Sequence, residues 1–525
     1  MLTYLSGTGF EDVLSAPIAF EIPEETRFAH TWMVAGSGAG KTTALTSMLL
    51  ADIEKVMAGK CSVILLDSQN QLIPALSRLK QFAPQEVAAT GVKVGDKVFV
   101  RIGQVDQFKD PVVITKIQDG YAFVEGFSSG IELEGVRLAE SAKTYESRLI
   151  LLDAKDVEFP LSINPFDIDL SHTKTLPLIN QRAMFNEAVT MVTFLLGSLV
   201  EQAMTPRQET LFKYIAHLLI VAVPEPTIVD VRRIMDKNHW ERDYKKYLHK
   251  LPELIRDFFE TDFEKSGELS QTKQQVMARL RSVLLNEDIM GMFSQKKNKF
   301  SLYDEIGKGR CIAINTSRFS LGETGTKMLG RFFLAQIQLA AHRRADLPND
   351  QKMPTFVYVD ECHDYLAGGD PNVANILEQA RKQKVGLTLI HQFIGQLESE
   401  KLVQALEANT STKYARSLTD GDAKAFAQVM KCRAADLQSL PVGTFMTSVR
   451  APLNTTLPIA FPFAEMDKQP QMTDAEFETL RASMRRRYAE PLKGEEPPVS
   501  PSPSKPPDTS PKEDGDDHTK PFKIE

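Results

Sequence analysis

The chain has little cysteine, only two tryptophans, no surplus of basic residues and no long apolar run. Four cysteines in 525 residues, Cys61, Cys311, Cys362 and Cys432, lie far apart and form no CxxC pair. That excludes a disulfide framework and a zinc ribbon, and points to a reducing, cytoplasmic setting. The longest apolar stretches, such as Ile215 to Val223 with His217 inside it, fall short of the roughly 18 residues a membrane span needs. Met1 to Phe20 lacks the basic start of an export signal, so neither insertion nor secretion is expected. With 62 Lys plus Arg against 69 Asp plus Glu, the net charge is -7, and any nucleic-acid site has to be a local basic lining.

What is present is a large, ordinary globular composition. Hydrophobic residues make up 42% and charged residues 25% of the chain, close to soluble averages. At roughly 150 residues per domain the length corresponds to about three to four units. The texture is α/β at both ends with two insertions. Residues 1–85 read as the first part of an α/β core, in which strand Trp32 to Val34, a glycine-rich turn, a helix and strand Cys61 to Leu66 make a parallel βαβ unit. Residues 86–147 are short β-rich runs between Gly and Asp turns, expected to form a small β-barrel insertion; its excess of Asp and Glu over Lys and Arg favours a spacer or protein-contact module over a DNA-binding barrel. Residues 148–169 return a strand to the core, and 170–300 read as an inserted all-α subdomain, with Thr205 capping a helix that has Pro206 at its first position. Residues 301–470 resume the core with strands at Cys311 to Asn315, Phe356 to Val359, Leu387 to Ile390, Tyr414 to Leu418 and Thr444 to Val449. Thr473 and Glu476 form a capping box opening a last helix over 471–490. The tail, 491–525, is rich in Pro, Ser, Asp and Lys and is expected to be disordered.

Three motifs carry chemistry. The segment AGSGAGKTT matches the phosphate-cradling pattern G-x-x-x-x-G-K-[ST] everywhere except its first position, where Ala35 replaces glycine. Gly36, Ser37, Gly38, Ala39 and Gly40 let backbone N–H groups turn inward, and Lys41 is placed to neutralise the β- and γ-phosphates. Thr42 offers a hydroxyl to Mg²⁺ as Thr43 continues the helix start. The second motif, TFVYVDECHDYL, delivers Asp360 and Glu361 at the end of a buried strand: Asp360 toward a metal and Glu361 toward an attacking water. Cys362 and His363 adjoin the pair but have no further ligands at zinc spacing. The third motif, ILEQARKQKVGLTLIHQ, runs from a helix bearing Arg381 and Lys382 into a strand ending at Gln392. Beside the Asp360 strand, Gln392 would sense the γ-phosphate or its water, and Arg381 would reach a neighbouring subunit's nucleotide as an arginine finger. ATP and Mg²⁺ are the cofactors so implied.

Together HTWMVAGSGAGKTT, FVYVDECHDYL, LEQARKQKVGLTLIHQ and EANTSTKYARS resemble the HerA/FtsK superfamily of P-loop ATPases. Within it the chain is most similar to the type IV secretion and conjugation coupling ATPases (TraD/TraG-like), over roughly Phe28 to Gln85 and Ser162 to Phe463. The resemblance implies a RecA-like P-loop NTPase core, a homo-hexamer with sites between subunits, Mg-ATP hydrolysis and DNA translocation through a central channel. It assigns Lys41 and Thr42 to phosphate and metal, Asp360 and Glu361 to metal and water, Gln392 to sensing and Arg381 to the trans finger, and it matches Asp67 to an acidic strand end near the site. The segment DSQNQ departs from the family in lacking Lys and Gly after that strand, which leaves Ser68 and Gln69 without a role. Family members usually carry an amino-terminal membrane anchor, and this chain is expected instead to act in the cytoplasm or at the inner membrane through a partner.

The expected function is therefore an ATP-hydrolysing DNA translocase feeding a transfer apparatus. Lys245, Lys246, Lys296, Lys297 and Lys299 are the candidate DNA contacts by charge. The C-terminal tail or helical subdomain would meet a relaxase or a membrane-anchored secretion component. The alternatives are a HerA-like DNA-processing helicase, a secretion-machine ATPase acting on protein, and a nucleotide-gated scaffold that binds without hydrolysis; Glu361 argues against the last.

Overall fold

The structure is a computed structural model that describes residues 7–8, 20–87, 97–102, 105–106, 112–118, 121–126, 131–132, 136–138, 144–170, 174, 177–199, 204–264, 267–366, 372–450 and 453–491. The expected disordered tail, beyond its first residue, lies outside the described residues. The chain divides into two compact units: residues 1–90 with 144–497, and residues 91–143 with 498–525.

In chain order the strands are β1 (Thr31–Ala35), β2 (Ser62–Asp67), β3 (Gln85–Val87), β4 (Lys97–Ile102), β5 (Val105–Asp106), β6 (Val112–Gln118), β7 (Tyr121–Val124), β8 (Ile131–Glu132) and β9 (Val136–Leu138). There follow β10 (Thr144–Glu146), β11 (Leu149–Asp153), β12 (Cys311–Asn315), β13 (Thr355–Val359), β14 (Val385–His391), β15 (Thr412–Arg416), β16 (Thr444–Val449) and β17 (Thr455–Ala460).

The first unit is built on a nine-stranded sheet of order β11-β12-β2-β13-β14-β1-β15-β16-β17. The pairings from β11 through β15 are parallel, and β16 and β17 add antiparallel strands at one edge. Strands β1, β2, β12, β13 and β14 are buried along their whole length, which explains their continuous apolar sequences: a parallel sheet covered on both faces has no solvent side to alternate with. The βαβ unit expected at the amino end is present in one sheet, but β13 and β14 come between β1 and β2. This insertion of later strands brings the acidic pair beside the lysine-bearing turn. Pattern alone could not supply the order, because every strand involved is equally apolar.

Elements beyond the expected set include β17, the helix Glu400–Asn409 and the helix Asp420–Met430, the two helices capped by Ser399 and Thr419. The helix expected from about Gly325 to His342 is present as the longer part of Arg318–Arg343, in which Gly322, non-helical at φ 66° and ψ 179°, separates a short first turn (318–321) from the main helix (323–343). The helical region contains Leu178–Leu196, Pro206–Val221, Ile228–Met235, Glu268–Leu284 and Glu287–Phe293, all within the first unit. Thr205 caps Pro206–Val221 as expected, its hydroxyl accepting from Gln208 N while the Gln208 side chain accepts from Thr205 N. Aromatic packing consolidates the region, with Tyr214 stacked on Phe258 and Trp240 on Phe259. Phe259, fully buried, contributes about 1.5–3 kcal/mol. The last helix, Asp474–Tyr488, carries the Thr473/Glu476 capping box and is tied down by Arg485, which pairs through Nε with Asp156 Oδ2 at 2.5 Å.

In the second unit, β4 to β9 form an antiparallel sheet in which β5, β4, β6, β7 and β8 are neighbours in turn and β9 pairs with β4. Val98, Val100, Ile114, Ala122, Val124 and Ile131 form its own small core. No pairing that would close this sheet into the expected barrel is seen among the described residues. The flanking runs β3 and β10 pair with each other in the first unit.

Candidate active site

The site forms where the parallel strands end. After β1 the chain turns through Gly36–Gly40 and enters the helix Lys41–Met57. The turn is pressed against two neighbours: a Cβ on Gly36 would lie 2.6 Å from the Ser417 carbonyl oxygen, and one on Gly40, at φ 95°, would lie 2.9 Å from Gly443 N. Glycine is required at both places, by contact at the first and by contact and backbone angle at the second. Arg416, at the end of β15 and nearly buried, ties this turn to the sheet edge. Its guanidinium donates from NH1 to the Ala39 carbonyl (2.9 Å) and from NH2 to the Leu440 carbonyl (2.9 Å). In the sequence Arg416 stands only as part of the segment EANTSTKYARS; a lone arginine at a strand end carries no local signal for a carbonyl-clamping function.

Lys41 Nζ donates to the Ala35 carbonyl at 3.1 Å and stands 3.6 Å from Glu361 Oε1. The amino-terminal lysine and the acidic pair three hundred residues later therefore share one site. Glu361 sits in the turn after β13 with φ 45°, a sparsely populated conformation for a non-glycine residue. Its backbone N–H donates to Asp360 Oδ1 (3.0 Å), and its Oε1 accepts from Gln392 Nε2 at 2.9 Å. Gln392 follows β14, which pairs in parallel with β13 as expected. One layer beneath, Trp32 Nε1 donates to His391 Nε2 (2.7 Å), leaving His391 Nδ1 to donate to the Phe393 carbonyl (3.0 Å) and orient the turn that carries Gln392.

Electrostatically the site holds more negative charge than it neutralises. Burial, with Glu361 and Asp67 nearby, pushes the Asp360 carboxyl up to about 7, against the opposing pull of Lys41. Asp67 is also raised by burial; its oxygens accept the backbone N–H groups of Gln69 (3.0 Å), Leu72 (2.9 Å) and Ile73 (3.3 Å), so it caps the turn after β2. Glu361 Oε2 is buried without a hydrogen-bond partner. Thr42 is exposed at the helix start, its hydroxyl donating to Gln71 Oε1 at 3.4 Å. These residues fit a magnesium-bound triphosphate: the turn is held tight by backbone contacts that admit no Cβ at Gly36 or Gly40, a lysine stands at its end, and the Thr42 hydroxyl and the Asp360 carboxylate supply hard oxygen donors.

Other expected residues lie elsewhere. Arg381 is exposed at the end of the helix Asn372–Lys382, before β14 begins, and its charge helps depress His30, which precedes β1. It is therefore at the amino-terminal side of the strands whose carboxyl ends hold Lys41 and Glu361. Four of the five candidate DNA-contacting lysines have carboxylate partners: Lys296 with Glu225 (3.0 Å), Lys297 with Asp167 (3.0 Å), Lys299 with Glu490 (2.7 Å) and Lys245 with Glu264 (2.9 Å). Lys246 Nζ lies 5.2 Å from the centre of the Tyr247 ring. Ser68, left without a role by its sequence, donates to Asp364 Oδ2 at 2.6 Å. Among the described residues no helix is long and apolar enough to cross a membrane.

No family model and no curated protein matches the chain. Solved structures do. The unbound monoclinic form of the bacterial conjugative coupling protein TrwBdeltaN70 aligns with a TM-score of 0.52 at 13% identity, over 88% of this chain and 93% of that one. The plasmid coupling protein TrwB in complex with ADP and Mg²⁺ gives 0.52 at 12% identity, over 89% and 94%. TrwB with a non-hydrolysable ATP analogue gives 0.51 at 12%, over 88% and 94%. Across nearly its whole length, this chain has the fold of the conjugative coupling protein TrwB.

Proposed function

We propose that the chain is a P-loop ATPase that moves DNA through a homo-hexameric ring, working as the coupling ATPase of a conjugative or type IV secretion system. The observation that carries this is the convergence of Lys41, Glu361 and Gln392 within 3.6 Å contacts at the ends of adjacent parallel strands. The likeness to a coupling protein solved with ADP and Mg²⁺ adds support at the level of the fold.

The backbone of Gly36 to Thr43 and the side chain of Lys41 bind the triphosphate, and Thr42 and Asp360 hold Mg²⁺. When bound, the ion supplies charge neutralisation to the phosphate oxygens. Glu361 orients a water and accepts its proton on the carboxylate, while Gln392 keeps Oε1 in place. Lys41 exchanges its contact with Glu361 for phosphate, so nucleotide entry and the release of the carboxylate are coupled. Arg381, lying away from its own subunit's Lys41, acts on the site of a neighbouring subunit. DNA, a relaxase and a membrane-anchored secretion component are the partners.

Measuring ATPase of the assembled full chain with and without single- and double-stranded DNA tests this. DNA-stimulated hydrolysis that weakens steeply with salt is expected. Hydrolysis indifferent to DNA but raised by a secretion protein would transfer the function to a motor acting on protein. For Arg381, mixing Arg381→Ala with Glu361→Gln subunits should recover activity at mixed interfaces, and no recovery in any mixture removes the trans finger.

A further inference from the structure

Beside Glu361 lies a histidine that the scheme above does not use. Glu361 Oε2 and His363 Nδ1 are both buried and both lack a hydrogen-bond partner, and they face each other at 3.4 Å. Which of them has a proton to offer depends on the far side of the imidazole. There His363 Nε2 is 3.2 Å from Gln396 Nε2, in the turn Ile394–Leu397 after β14. The Gln396 amide has one possible orientation: its Oε1 accepts two backbone N–H groups, from Gln392 (2.8 Å) and Phe393 (3.1 Å), which only a carbonyl oxygen can do. Its Nε2 is consequently a donor, His363 Nε2 is the acceptor, and the neutral ring carries its proton on Nδ1, toward Glu361. Asp364 Oδ1, the competing neighbour of His363 Nε2, is 3.6 Å away, beyond hydrogen-bond range. Asp364 is engaged by Ser68 (2.6 Å) and Arg318 (3.3 Å).

The geometry points to His363 as a positioning residue for the water-activating carboxylate, its Nδ1–H aimed at Glu361 Oε2, with Gln396 as the residue that sets its tautomer. Gln392 and His363 thus approach the two carboxylate oxygens from opposite strand-end turns. Hydrogen bonds run from Glu361 through the Gln392 side chain, back along its N–H to Gln396, and on to the imidazole; the last step, from His363 Nδ1 to Glu361 Oε2, is an approach of 3.4 Å that a small movement would close. The consequence is that any movement of the turn 392–397 is felt by both donors at once, so the carboxylate is aimed or released as a unit. This rests on the assignment of Glu361 as the base.

The test is steady-state and single-turnover hydrolysis of Mg-ATP by the full chain, with binding of a fluorescent ATP analogue measured alongside. His363→Asn places an amide N–H near the position of Nδ1, whereas His363→Gln places one near Nε2. His363→Asn should keep kcat within about threefold of the parent. His363→Gln and Gln396→Glu, the latter still accepting both backbone N–H groups but offering no donor to the ring, should lower kcat about ten- to a hundredfold with KM and analogue affinity unchanged. Equal losses in His363→Asn and His363→Gln, or parent activity in all three variants, would overturn the role of the ring. Glu361→Gln run in parallel separates the two levels: normal hydrolysis there removes the base itself, whereas a dead Glu361→Gln beside fully active His363 and Gln396 variants removes only this inference.

Discussion

Tyr358 and Glu361 are three residues apart, yet they belong to two buried polar clusters of opposite character. Around Tyr358, every group is spent. Its hydroxyl donates to Asp52 Oδ2 at 2.6 Å, Arg27 grips Asp52 through two bonds of 2.7 and 2.5 Å, and the same guanidinium lies 3.5 Å from the centre of the Phe356 ring. Around Glu361, by contrast, one carboxylate oxygen and one imidazole nitrogen have no partner and Asp360 is pushed toward neutrality. A buried polar group without a partner costs about 1–3 kcal/mol. The first cluster avoids that cost and holds helix Lys41–Met57 against the sheet; the second carries it, which is the mark of groups kept for a ligand.

Substitutions in the two clusters should therefore fail differently. The largest effect is expected from Glu361→Gln, which should lower single-turnover hydrolysis by on the order of 10²–10⁴-fold while nucleotide binding persists; Lys41→Ala should lose the binding as well, as a fluorescent-nucleotide titration would register. Asp52→Ala should leave the half-buried Arg27 without its carboxylate and cost about 3 kcal/mol in urea unfolding, with nucleotide affinity of the folded molecules retained. If it abolished binding without destabilising the chain, the contrast between the clusters would be lost. Next comes Arg416→Lys, which keeps the charge but not the fork that holds the Ala39 and Leu440 carbonyls; about tenfold weaker nucleotide binding is expected, with little change in melting temperature.

The smallest effect at neutral pH belongs to His30. Burial lowers it to about 4, and it is held neutral by donating from Nε2 to the Leu377 carbonyl and accepting at Nδ1 from Leu387 N. The unfolded chain takes up the proton near 6.5 and the folded chain only near 4, so unfolding binds protons across that window and stability falls as pH drops through it. His391, lowered by burial to about 3, adds to the same slope. His30→Gln should flatten the acid limb of a stability-versus-pH curve; an unchanged limb would assign the slope elsewhere.

How much of this could be read before folding differs from residue to residue. The phosphate loop, the acidic pair and the strand leading to Gln392 were legible because each is a local pattern, an apolar run ending in a specific polar group. Arg416, His363 and Gln396 were not, because their roles depend on neighbours remote in sequence or on which way a turn faces. The partners of the candidate lysines were illegible for the same reason: Glu225, Asp167, Glu490 and Glu264 answer their charge from other segments of the chain.

By itself, then, the order of residues determined the α/β class, the helical region and the chemistry on offer at each strand end, since short-range periodicity and glycine placement dictate local conformation. Tertiary structure alone decided the insertion of β13 and β14 between β1 and β2 and the antiparallel pairing of the described strands of the second unit. It also decided which buried oxygen was left without a partner. Strand order and desolvation are set by the free energy of packing many segments at once, and no single segment contains them.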